Sequence, residues 1–445
     1  MSRLPILDPG RMALLFGLFL FMFPPHIKLF GIVVKVVYVS ILLPSVFGFR
    51  EFLTKRGSDI LVKKLLLFMG FGFIFLLYRS GMDGFDDLSA VREMVMGVVI
   101  LFAAYFYYLK YQDRYGDAYL VRIYYDLYLI GVFHSTIVIA TFLFPEFKGV
   151  LYQYIEVTAK SSKFLFNPYI TQRFQGIVHS GFSFLSTTHA LLFCAGILSL
   201  LLKKEKYGIQ KISLFLSGLI VILLSIGLIG RTGFVVVILF FSILLLSKIL
   251  KAMYRPKLNL ESLRFILLVI IALILLGSVA DFSKYAENTK FAFEFIINYY
   301  ETGNMSTHST DTIIRSEIFF PGHVGAFLFG TGNFGRGSNF DRINSDVGYV
   351  LFIYGAGVIG MLIAYSFYLL GGYFAFQHYS LNPDLSLFMI LFIIMLAVVN
   401  VKDYYFISYS GYTQIYFITF LSLAEVVRSG SYKTQFKQYV HSKVS

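Results

Sequence analysis

The sequence predicts an all-α polytopic membrane protein of about twelve transmembrane helices, with short amphipathic helices in its outer loops. Three observations point there. Hydrophobic residues make up 57% of the 445 residues and charged residues only 14%, against about 25% charged in a soluble domain; the mean hydropathy is +0.73. Apolar runs of about 20 residues, the length a bilayer crossing needs, recur along the whole chain. The tightest basic clusters, at 50–64, 203–211 and 248–264, fall in alternate gaps between those runs, as the positive-inside rule expects of cytoplasmic loops.

In chain order the expected spans cover 10–23, 28–47, 61–79, 94–109, 118–144, 181–202, 209–229, 232–250, 264–280, 346–373, 385–401 and 411–427. Pro24 and Pro25 cut the first one short. The spans form a single bundle over 1–445 with both termini in the cytoplasm, which puts the three basic clusters inside. The net charge of +13 then reads as a topology signal with some attraction to anionic lipid. No nucleic-acid partner is expected, since that needs a basic face on a soluble domain. No small-residue processing site follows the first apolar run, so no cleavage is expected. Cys194, the single cysteine, lies mid-span; neither a disulfide nor a cysteine metal site follows from it.

Two outer loops exceed a turn: 145–180, with Tyr and Phe scattered from Tyr152 to Phe166, and 281–345, the one long polar stretch. The second holds Arg315, Arg336 and Arg342 with His308, His323, Asp311 and Glu317, and runs into Asp346. It reads as a lid on the bundle, with a short helix near 309–320 that Ser309 and Asp311 open and Pro321 ends.

Individual residues carry competing readings. Arg231, in the short outer turn Gly230-Arg231-Thr232-Gly233, is either an interfacial anchor or a fixed cation for phosphate, which a guanidinium grips with a planar fork of donors. Arg173, just before the sixth span, has the same two readings, and nearby His179 is a candidate proton carrier. Arg315 follows Asp311 by four residues, one helical face, which fits a surface ion pair or a held cation. Gly330-Thr331-Gly332-Asn333-Phe334-Gly335 matches a dinucleotide fingerprint, but no strand or βαβ unit surrounds it. Its glycines are expected to make a tight turn that brings Asn333 and Arg336 near the membrane. Asp346 opens the tenth span as a helix N-terminal carboxylate or as a base at the outer mouth of the bundle. His134 and His189 read as hydrogen-bonded core groups, and the Tyr-rich stretch Asp403–Tyr412 as an aromatic belt.

The Arg-containing turn, Arg173-Phe174-Gln175-Gly176, the large outer loop before the third-last span, and the glycine-rich lead into Asp346-Val347-Gly348-Tyr349 together resemble the bacterial O-antigen and capsule polymerase group, within the wider polymerase and O-antigen ligase superfamily. The resemblance implies a multi-pass protein of the bacterial inner membrane. Its substrate would be an oligosaccharide repeat unit on a polyprenyl diphosphate, joined at the periplasmic face without cofactor or metal. It implies Arg173, Arg231 and Arg315 on the pyrophosphate, Asp346, His308 or His323 as the base, and Arg336, Asn333, Tyr349 and His179 along the glycan. A chain-length regulator is a common partner in that group, and membrane lipids surround it. Ser345-Asp346 stands where ligases of the superfamily usually show His-Asn, which favours polymerase. O-antigen ligase, or a transporter of lipid-linked sugars, remain the alternatives.

Overall fold

Among the described residues the only sheet is one two-stranded hairpin, and helix makes up most of the rest. The structure, a computed structural model, describes residues 8–54, 60–82, 84–166, 173–179, 181–203, 209–254, 294–304, 311–313, 315, 318–335, 343, 345–408 and 411–444. Five apolar helical stretches among them are long enough to cross a membrane: Ile60–Met82, Ser89–Leu143, Phe182–Leu202, Ile212–Ile229 and Gly348–Gln377. Pro9–Met22, Thr232–Ser247 and Pro383–Val399 are apolar but shorter. The chain is an all-α membrane protein. The span expected at 264–280 lies outside the described residues.

Helix α1 (Pro9–Met22) starts where the Asp8 carboxylate accepts from the Gly10 amide at 3.1 Å and Pro9 fills the first turn, a position that needs no amide proton. Its 14 residues reach about 21 Å, and Pro24 and Pro25 stop it as expected. The second span departs from expectation. Residues 28–47 are not one helix: β1 (His26–Leu29) and β2 (Ile32–Lys35) pair antiparallel, followed by a π-helical turn at Tyr38–Leu42 and α2 (Leu43–Thr54). Phe30 and Gly31 both have positive φ, 50° and 80°, the geometry of the two-residue hairpin turn that matches strand twist. The β-branched run Ile32-Val33-Val34 favours the strand.

The remaining helices are α3 (Ile60–Met82), α4 (Ser89–Tyr115), α5 (Tyr119–Leu143), α6 (Pro145–Tyr154), α7 (Ala159–Phe166), α8 (Phe182–Leu202), α9 (Ile209–Ile229), α10 (Thr232–Tyr254), α11 (Glu294–Thr302), α12 (Val324–Phe329), α13 (Gly348–Gln377), α14 (Pro383–Val399) and α15 (Tyr412–Val444). Two short helices, α6 and α7, thus occupy the first of the two long loops, at 145–180. In the second, residues 311–313 and 315 are helical and 318–320 are not, so the helix expected over 309–320 is shorter. Ser309 lies outside the described residues.

The chain divides into two compact units. One contains Met1–Ser40, Val121–Thr312 and Tyr409–Tyr412. Its centre is α8, the most enclosed of the long apolar helices, which packs against α9 and α10. His134 and His189 join there at 2.8 Å, and His189 Nδ1 reaches Ser225 Oγ at 2.7 Å and Ser135 Oγ at 3.1 Å. These are the hydrogen-bonded core groups the sequence indicated; polar groups buried this far need partners.

The other unit contains Ile41–Leu120, Ile313–Ser408 and Thr413–Ser445. Here α2 packs on α4, and α3 and α12 pack on α13. Helix α13 is broken at Gly357, whose φ of 70° and ψ of 175° belong to a region open essentially to glycine alone. Asn400 ties the chain after α14 together: its amide donates to the Leu396 and Tyr405 carbonyls at 2.8 and 3.0 Å and its oxygen accepts from the Tyr405 amide at 3.0 Å. The Tyr-rich stretch is not a surface belt: Tyr404, Tyr405 and Tyr412 are buried.

Candidate functional site

Arg231 is held by the turn that carries it. Helix α9 ends at Ile229 and α10 starts at Thr232. The buried Ser186 hydroxyl, on α8, bridges the gap, donating to the Gly230 carbonyl and accepting from the Gly233 amide at 2.9 Å. Ser183, one turn earlier on α8, meets Thr232 Oγ1 at 3.2 Å. A side chain at Gly233 would put Cβ 2.5 Å from the Ser186 carbonyl oxygen, so only glycine allows this approach. Arg231 itself is 8% exposed and its guanidinium is paired with Glu294 of α11. Burial pulls its pKa below the usual guanidinium range and Glu294 pushes it back; a cation this basic stays charged.

Arg173 comes to the same end of α8 by another route. The Phe174 amide donates to the Leu228 carbonyl, in the last turn of α9, at 3.0 Å. The half-buried Arg173 guanidinium lies 5.8 Å from the centre of the Phe182 ring, within cation–π range. Phe182 and Ser183 open α8, so its first turn touches Arg173 on one side and the Arg231 turn on the other. The positive end of the α8 dipole lies there too. Two arginines some sixty positions apart in sequence are therefore gathered at one helix terminus.

His179, expected along the glycan, is half-buried and donates from Nδ1 to the Glu156 carbonyl at 3.0 Å. Its ring stacks on His26, with 4.0 Å between centroids.

The other expected residues belong to the second unit, except that His308 and Arg336 lie outside the described residues, as do Glu317 and Arg342. Arg315 and Asp346 are exposed, and His323 is exposed at the N-cap of α12. Ser345 Oγ accepts from the Val347 amide just before α13 at 3.0 Å. The Tyr349 hydroxyl is spent on the Ala397 carbonyl at 2.6 Å.

Asn333 sits in a built loop. The break at Gly357 frees carbonyls on α13, and Gly330–Gly335 fills them: the Thr331 amide donates to Tyr354 O at 2.6 Å and the Gly332 amide to Gly355 O at 2.9 Å. Arg79 of α3 donates to the Gly330 carbonyl at 2.7 Å, and the buried Asp87 carboxylate accepts from the Phe334 amide at 3.0 Å. The tight turn expected of these glycines is present, and Asn333 Oδ1 closes it on the Gly335 amide at 2.6 Å.

No protein-family model matches the chain, and no curated protein matches it in sequence. The chemistry of the site rests on its own residues. Sequence reasoning passed over Glu294, Arg79, His26 and Glu156.

Proposed function

We propose that this protein is a glycosyltransferase that polymerises oligosaccharide repeat units carried on polyprenyl diphosphate. The observation that carries the reading is the gathering of Arg173 and Arg231 at the N-terminal end of α8, where a buried hydrogen-bond scaffold holds one of them. Fixed cations at a helix terminus suit an anionic diphosphate, and they act most strongly on charge that develops in the transition state. In the reaction a hydroxyl of the incoming unit attacks the sugar carbon bearing the diphosphate of the growing chain. A carbon–oxygen bond forms, the bond to the diphosphate breaks, and polyprenyl diphosphate leaves with its charge on Arg173 and Arg231. A carboxylate or imidazole base takes the hydroxyl proton. Glu294 neutralises Arg231 until the diphosphate displaces it.

The same reading places about twelve spans in the bacterial inner membrane, with both termini in the cytoplasm and the site on the periplasmic face. O-antigen polymer is the expected product, with capsular polysaccharide made by the same chemistry. The test is Arg231→Ala in cells that depend on this chain for polymer. The variant should reach the membrane at the wild-type level and make no polymer. Polymer of normal amount and length from that variant overturns the clamp.

A further inference from the structure

Three segments meet beside the hairpin: the end of α1 running into β1, the chain between α6 and α7, and the stretch before α8. Pro25 bridges Val178 and Ile27 bridges Ile155, both antiparallel. The Glu156 amide donates to the His26 carbonyl at 2.8 Å and the Thr158 amide to the His179 carbonyl at 3.2 Å. Beneath them Tyr152, Ile155 and Leu165 form an apolar cluster against Ile27, Val157 and Ile177. His26, Glu156 and His179 are thus each fixed next to a bridged residue, and one donor atom from each lies within 4.8 Å of the other two.

The three donors are close enough to share one ion. His26 is 5% exposed, yet among the described residues neither of its ring nitrogens has a hydrogen-bond partner; Nδ1 stands 3.5 Å from Glu156 Oε2. Buried polar atoms are rarely left so. Tetrahedral coordination with bonds of about 2.0–2.1 Å sets ligand atoms about 3.3–3.4 Å apart, close to that separation. His179 Nδ1 stands 3.7 Å from Glu156 Oε2 and 3.0 Å from the Glu156 carbonyl oxygen, so an ion bound through this nitrogen would replace that backbone contact. The two rings stack at 29°, and the last torsion of histidine is soft, so one ring turns to admit an ion. Glu156 is partly exposed and opens the path to solvent.

We propose that His26, Glu156 and His179 bind one divalent first-row transition-metal ion of the zinc class, with a water completing the coordination. Two imidazoles and one carboxylate suit Zn(II) and its neighbours, whereas Mg(II) and Ca(II) prefer all-oxygen sets. The ion ties the hairpin to the segment before α8 and takes no part in the glycosyl transfer proposed above.

The test uses full-length protein in detergent, free of any histidine tag and stripped with a chelator, then titrated with Zn(II) against a chromophoric competitor. One equivalent should bind, and His26→Ala, Glu156→Gln and His179→Ala should each weaken it at least about tenfold. Zn(II) should raise the melting temperature of the wild type and not of Glu156→Gln, the most exposed member, which keeps the test decisive if a histidine variant fails to fold. Folded wild type that binds no equivalent overturns the proposal. So does an equivalent whose affinity is unchanged by Glu156→Gln and by the His26→Ala/His179→Ala double.

Discussion

Ser186→Ala isolates the scaffold under Arg231. The hydroxyl makes one bond to the Gly230 carbonyl and one to the Gly233 amide, and the side chain is fully buried, so water cannot replace either. Polar contacts between membrane helices average ~0.6 kcal/mol, while a fully orphaned buried group costs up to ~3 kcal/mol. Taking about 1–2 kcal/mol for each of the two bonds, the variant should lose about 2–4 kcal/mol. Alanine fits the space, so no clash adds to this. Ser183→Ala is the control: it removes a single contact of 3.2 Å and should cost under about 1 kcal/mol. The assay is reversible denaturant unfolding in detergent micelles followed by circular dichroism. A loss under about 0.5 kcal/mol for Ser186→Ala, or equal losses for the two variants, refutes the idea that this hydroxyl holds the turn.

Other expectations follow from the same geometry. Gly357→Ala puts Cβ 2.3 Å from the Leu328 carbonyl oxygen at a φ of 70°, and should cost at least about 3 kcal/mol, read as lost folded yield. Asp87→Asn leaves one neutral acceptor for the Phe334 and Ser89 amides. The loss of about 1.5–3 kcal/mol should speed hydrogen exchange at Phe334 about 10- to 150-fold, and unchanged protection would refute the tether. Arg231→Lys keeps the charge but not the planar fork; polymer synthesis per folded molecule should fall more than about tenfold, and wild-type turnover would contradict bidentate binding.

How much of this was legible in the sequence varies by residue, for physical reasons. Arg231 and Arg173 stood out because a cation between two apolar runs is expensive and local. Glu294 did not, because its pairing with Arg231 crosses 63 positions that carry no periodic signal. Residues 28–47 read as a span since a 20-residue window averages hydropathy and ignores strand geometry; the β-branched run and Phe30-Gly31 were the local signs. His26, Glu156 and His179 form no spacing motif, and only the bridges Pro25–Val178 and Ile27–Ile155 bring them together. The turn at Gly330–Gly335 was readable from its glycines, but its docking partner was not, because that depends on carbonyls freed at Gly357. Tyr404, Tyr405 and Tyr412 show that aromatic density alone does not tell a ring facing the lipid surface from one facing the core.

The most direct measurement reconstitutes purified protein in liposomes with a single polyprenyl-diphosphate-linked repeat unit and resolves the glycan product by length. A ladder of polymers is expected from that substrate alone, and none from Arg231→Ala or Arg173→Ala at equal folded protein. Folded wild-type protein that yields no ladder contradicts the polymerase proposal. Transfer of glycan to an added lipid A core would then point to a ligase, and movement of substrate between leaflets to a transporter.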